Sequence, residues 1–166
     1  MINLLSGFDV RVLVYDPYLS ARDATGLGAE LVDLDQLCRE SDLVSLHAPA
    51  TADTWQMIGA AQLGAMANGT VLINTARGSL VDTAALEAEL VTGRFDAFLD
   101  VTDPEPLPAS SVLYRLSNVF LTPHIAGAMG NEVKRLGQQE ISELGRLSHG
   151  LPFEYPVVVN DLSRIA

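Results

Sequence analysis

The stretch Val71 to Asp82, VLINTARGSLVD, restricts the possible folds more than any other part of the chain. An apolar, β-branched run, Val71-Leu72-Ile73, stops at Asn74-Thr75. A polar turn with Arg77 beside Gly78 follows, and Asp82 opens an Ala/Leu/Glu-rich helical pattern. That is strand, turn, helix, with an arginine at the carboxyl end of the strand. Open parallel sheets bind their ligands in the crevice outside those carboxyl ends.

The same layout recurs along the chain. Val10–Tyr15 is an expected strand ended by Asp16-Pro17, and proline cannot extend a ladder. Strands are also expected at Asp42–Leu46, Thr70–Asn74, Phe95–Val101 and Asn118–Thr122. Between them, Ser20–Glu30 reads as a loop or short helix. Asp33 with Gln36 resembles a capping box before Leu34, Leu37 and Cys38. Helical patterns follow within Thr51–Met66 and over Thr83–Val91. Asn131 is placed to cap a long amphipathic helix with Val133, Leu136, Ile141, Leu144 and Leu147 turned inward, closed at His149-Gly150. Strands alternating with helices predict an α/β, doubly wound parallel sheet, Rossmann-like, with helices on both faces. Met1 to Gly7 reads as the last turns of a helix. Residues 1–150 form the expected domain, and 151–166, with Pro152 and Pro156, a wrapping segment.

A chain of 166 residues can bury roughly two thirds of its unfolded surface as one domain. Its net charge of −11 argues against a nucleic-acid partner, which needs a basic face. No run approaches the roughly 18 apolar residues of a membrane span. Cys38 is the only cysteine, which excludes an internal disulfide and a paired-Cys metal site; no HExxH or GxSxG pattern occurs, and no metal is expected. A reducing, cytoplasmic setting is the expectation.

The residues able to do chemistry follow the strands: Asp16, His47, Arg77, Glu105 in a proline-flanked turn, and His124. Asp16 could accept hydrogen bonds from a ribose and repel a 2′-phosphate, or simply form a turn before Pro17. Arg77 could grip a carboxylate bidentately, or pair with Asp82 or Glu87. Gly78 would permit close backbone approach to a ligand. Glu105 could fix the tautomer of His124 and stabilise its imidazolium, equipping it as a general acid; each alone also suits an ordinary turn. Trp55 reads as a packing residue.

The runs VLVYDPY, LVSLHAPAT, VLINTARGSLVD, FLDVTDPEPLP and NVFLTPHIAGA, in that order, resemble the nucleotide-binding domain of the D-isomer-specific 2-hydroxyacid dehydrogenases. The resemblance implies NAD as cofactor, a small 2-oxo or 2-hydroxy acid as substrate, and homodimerisation in full-length relatives. It implies that Arg77 binds the substrate carboxylate, His124 is the acid/base and Glu105 its partner. Asp16 with Pro17 would sit at the adenosine ribose. His47, Pro49, Thr75 and Ala76 would line the cofactor groove, and Asp100 would contact the nicotinamide carboxamide. Glu at 105 speaks against the similar formate dehydrogenases.

The chain departs from that pattern in one respect: neither a first strand nor a GxGxxG turn precedes Val10. In the order 3-2-1-4-5-6 that strand is central. Its lack is expected to leave the strands starting at Val10 and Thr70 with unpaired edges, the chain marginally stable alone, and its NAD affinity weak. Besides an oxidoreductase, two readings stay open: a non-catalytic NAD-binding protein of corepressor type, and a fragment inactive by itself.

Overall fold

In the computed structural model, which describes residues 1–159, four of the apolar runs become parallel strands: β3 (Leu43–Leu46), β4 (Val71–Asn74), β5 (Asp96–Leu99) and β6 (Val119–Leu121). Their order is β3-β4-β5-β6. Leu46 pairs with Asn74, Asn74 with Leu99, and Leu99 with Leu121, so all four carboxyl ends fall in one row. Every loop that leaves a strand end therefore starts on the same edge of the sheet. This is the parallel α/β, Rossmann-like fold expected from the sequence.

Alternation along the strands decides which side chains reach the core. Val44, Leu46, Leu72, Ala97 and Leu99 are buried with Cys38, Leu63, Leu86 and Leu90, which come from the helices α3 (Leu34–Glu40), α4 (Ala60–Ala65) and α5 (Thr83–Leu90). Asp33 and Asp82 cap α3 and α5, accepting from the Gln36 and Ala85 amides. The opposite positions, Leu43, Phe98 and Phe120, are exposed, and the two phenylalanine rings pair at 5.7 Å between centroids. Helix cover was expected on both faces; among the described residues it lies on one. The long C-terminal helix α6 (Asn131–Ser148) does not supply the other. Val133, Leu136, Ile141, Leu144 and Leu147 are exposed rather than inward, because no described element presents an apolar surface to them. Its N-cap is Gly130, at φ +55°, and not Asn131, which is its first residue. His149 and Gly150 end it as expected. Trp55 is also exposed, against expectation.

Ahead of this sheet lie a one-turn helix α1 (Ile2–Leu5), β1 (Leu13–Val14), α2 (Ala21–Gly26) and β2 (Glu30–Leu31). The strand expected over Val10–Tyr15 is regular only at its centre. Within the stretch read as loop or short helix, Ser20 caps α2, and the chain then pairs β2 parallel to β1 as a separate two-stranded sheet. Arg11 ties that sheet to α3 through Glu30 and Glu40, both at 2.8 Å. The expectation of an unpaired edge holds for β1 but not for the strand at Thr70. β4 is paired on both sides, because each helical crossover moves the chain one strand further along the sheet. The edges of this sheet with no strand partner among the described residues belong to β3 and β6.

One structural device was not visible in sequence. Arg94 donates to the carbonyls of Leu63 and Met66 at the end of α4, pairs with Glu89 at 2.7 Å and lies over the Phe95 ring. It gives the Met66 carbonyl a partner at the helix end and adds a second donor to the Leu63 carbonyl, which already accepts from the Met66 N–H. Past α6, the Arg146 side chain donates to the Pro152 carbonyl and Glu143 accepts from the Glu154 amide, turning the tail back along that helix. The end of the expected wrapping segment, residues 160–166, lies outside the described residues.

Candidate active site

β4 ends at Asn74, a polar residue only 1% exposed. Its amide nitrogen donates to the Arg77 carbonyl at 2.9 Å and its oxygen accepts from the Ala76 N–H at 3.1 Å. The side chain thereby sets the path of Thr75-Ala76-Arg77 as the chain leaves the sheet. Arg77 is exposed, and its guanidinium donates to the Ala76 carbonyl. Asp82 and Glu87 are not its partners: Asp82 caps α5 and Glu87 accepts from Ser111. Among the described residues Arg77 forms no ion pair, so its charge is available to an anion.

Gly78 does permit a close approach, but to the protein itself. A Cβ there would stand 2.1 Å from the carbonyl of Thr102. The expectation of a ligand at Gly78 is thus replaced by a backbone contact that joins the Arg77 turn to the turn carrying Glu105. Thr83 strengthens the junction by donating to the Asp103 carbonyl at 2.6 Å.

Glu105 and His124 leave different strands, β5 and β6, and meet with Oε1 2.8 Å from Nδ1. Both side chains are about half exposed, 45% and 49%. A carboxylate at Nδ1 favours the tautomer with its hydrogen there, which leaves Nε2 for a reacting group. His124 adopts φ +56°, unusual for a non-glycine residue. The cause lies beneath it. Asp100, 4% exposed at the end of β5, accepts from the Thr122 hydroxyl, the Ile125 N–H at 2.8 Å and the Ala126 N–H at 2.8 Å. Burial pushes the Asp100 carboxyl up, but the bonds from Thr122, Ala126 and Ile125, with the neighbouring His124, outweigh it. The group is held below the usual carboxylate value.

Of the remaining expected residues, His47, Pro49, Thr75 and Ala76 follow strands of the same sheet, and Asp16 and Pro17 do not. His47 follows β3 and lies 2.9 Å through Nε2 from the Ser45 hydroxyl. The Pro49 carbonyl accepts from Thr54, fixing the loop after β3. Thr75 is exposed and Ala76 packs against the core rim. Asp16 and Pro17 follow β1, in the separate sheet, where Asp16 accepts from the Tyr18 N–H at 2.8 Å. The turn-forming use of Asp16 is therefore present. Sequence reading missed Asn74, Thr83 and Thr122 as parts of the site. For Asn74 and Thr122 the available signal was a polar residue at the end of an apolar strand just before a chemically useful one.

Residues 1–126 match the family model for the NAD binding domain of D-isomer specific 2-hydroxyacid dehydrogenases. The chain belongs to that family. Across 145 residues it is 40% identical to a glyoxylate reductase of Korarchaeum cryptofilum, covering 87% of this chain and 44% of the relative. It is 37% identical to a D-3-phosphoglycerate dehydrogenase of Archaeoglobus fulgidus, covering 87% and 28%. The crystal structure of D-lactate dehydrogenase with NAD+ from Lactobacillus jensenii is similar at TM-score 0.84 and 30% identity, over 95% of this chain and 51% of that one. The chain spans less than half the length of these curated relatives.

This family domain is an NAD-binding one, and the residues at its strand ends suit part of that cofactor. Polar side chains stand after β3, β4 and β5 on the edge where a parallel sheet binds a dinucleotide, and Asp16 stands after β1 in the separate sheet. A GxGxxG turn opening a helix, the usual pyrophosphate cradle, does not occur among the described residues. Among them, too, no helix is long and apolar enough to cross a membrane, and no three metal-binding side chains gather.

Proposed function

We propose that this chain is the cofactor-binding part of an enzyme that interconverts 2-oxo acids and D-2-hydroxy acids. The observation that carries the reading is the 2.8 Å pair of His124 Nδ1 and Glu105 Oε1, on the sheet edge that also presents unpaired Arg77. The family match and relatives named glyoxylate reductase and hydroxypyruvate reductase support the substrate class.

Arg77 holds the substrate carboxylate through its planar fork and polarises the adjacent carbonyl. His124 delivers a proton from Nε2 to the carbonyl oxygen, and Glu105 stabilises the ring's charged form before that transfer. In the reverse direction His124 takes the hydroxyl proton. NADH, when bound, supplies the hydride that reaches the carbonyl carbon. Asp16 favours NAD over NADP by accepting from the ribose hydroxyls, with Pro17 shaping that turn. His47, Pro49, Thr75 and Ala76 line the groove. A homodimer and a cytoplasmic setting belong to the same reading. The exposed apolar face of α6 supports the first, and the lone, buried thiol of Cys38 the second.

The test is Arg77→Ala in the full-length enzyme, assayed by NADH oxidation with glyoxylate. The expected outcome is a loss of kcat/KM of roughly a hundredfold or more, since a charge-assisted bidentate contact is removed. Activity equal to wild type would refute the carboxylate clamp.

A further inference from the structure

Two buried polar residues sit side by side beneath the site, and neither has solvent to satisfy it. Asn74 ends β4 and Asp100 follows β5; the Asp100 N–H donates to the Asn74 carbonyl at 2.9 Å. Each spends its side chain on the backbone of the loop leaving its own or the adjacent strand. Asn74 brackets the turn of Arg77 from both sides, through Ala76 N–H and Arg77 carbonyl. Asp100 brackets His124 in the same manner, through the Thr122 hydroxyl before it and the Ile125 and Ala126 amides after it.

We propose that Asn74 and Asp100 are a linked pair of positioning residues, a buried polar bracket that sets Arg77 and His124 at a fixed separation. The proposal rests on the dehydrogenase reading for what the bracket serves, though not for its existence. It differs from a contact of Asp100 with the nicotinamide carboxamide: three of the roughly four acceptor sites of the carboxylate face the protein itself, Oδ1 towards Thr122 and Ile125 and Oδ2 towards Ala126. A carboxylate is needed because a carboxamide would turn its NH2 group towards one of these donors. The left-handed backbone of His124 is the consequence of that anchoring. Without it the imidazole loses the direction that brings Nδ1 to Glu105.

The experiment has two arms. The first follows amide hydrogen exchange by NMR in the 166-residue chain and its Asp100→Asn and Thr122→Val variants. Ile125 and Ala126 should exchange about tenfold faster or more in D100N, and by a smaller factor in T122V, which keeps the carboxylate. Leu72 and Ile73 in β4 report whether the sheet stays folded. Unchanged exchange at Ile125 and Ala126 in a folded D100N overturns the bracket. If D100N does not fold, T122V decides alone: no acceleration at Ile125 overturns it. The second arm measures NADH-dependent glyoxylate reduction in the full-length enzyme and its variants. D100N should lower kcat by roughly a hundredfold, as expected for a displaced acid, while the KM for NADH changes by less than about threefold. A rise in the NADH KM with kcat retained would assign Asp100 to the cofactor and overturn the proposal. Absence of turnover in the wild type would instead count against the dehydrogenase reading, and the exchange arm would still decide the bracket.

Discussion

Gly78 lies against the Thr102 carbonyl so closely that a methyl group in place of its α-hydrogen would stand 2.1 Å away. The contact fastens the turn bearing Arg77 to the turn bearing Glu105, and backbone cannot yield as a flexible side chain does. Gly78→Ala is expected to lower stability by about 1–3 kcal/mol, in the range of overpacking, and to reduce turnover by separating the two turns. A urea unfolding curve checks the first part; an unchanged midpoint would show that the junction is loose.

The sheet carries its core on one side. Leu72 is fully buried against the helices, whereas Phe120 is 59% exposed on the other face. Leu72→Ala should cost about 2–5 kcal/mol and Phe120→Ala under about 1 kcal/mol, although the second removes the larger side chain. Denaturant melts of the two variants decide it. Equal losses would mean that Phe120 is covered in solution.

Cys38 is wholly buried, and burial pushes its thiol up to about 11, because a thiolate there would lose its hydration. At pH 8 the folded chain should therefore react with a thiol reagent only as fast as it opens. Urea should release the reaction. Immediate labelling without urea would place Cys38 at an accessible surface.

The Asp100 carboxyl is held below its ordinary value of 3.8. A depressed carboxyl stabilises the fold above the unfolded value and loses that contribution as pH falls through the folded one. Protection of the Ile125 and Ala126 amides should accordingly persist from neutrality to about pH 4 and disappear only in stronger acid. Loss of protection between pH 6 and 5 would contradict the assignment.

Much of this was legible in the order of residues. Runs such as Val71-Ile73, stopped by polar residues, announced parallel strands, and their common direction placed Arg77, Glu105 and His124 on one edge. What pairs with what was harder. β4 was expected beside a gap and is instead flanked on both sides, because strand order depends on where each crossover lands and no single run encodes it. The stripe on α6 shows the same limit: periodicity identified an apolar face from Val133 to Leu147, but amphipathicity does not say what covers it. Asn74 was visible only as the polar residue that stops an apolar strand, and Asp100 only through the family resemblance, as a contact of the nicotinamide carboxamide. Their partners are backbone groups, which carry no residue-type signal. Gly78 was read correctly as a point of close approach and wrongly as to what approaches.

The central claim is that His124, set by Glu105, moves the proton, and His124→Ala tests it most directly. Glyoxylate reduction is followed by NADH absorbance, with NADH binding measured separately by fluorescence. The account predicts a fall in kcat of about 10²–10⁴ with NADH affinity unchanged, the usual contribution of general acid catalysis. Wild-type kcat in His124→Ala would contradict it.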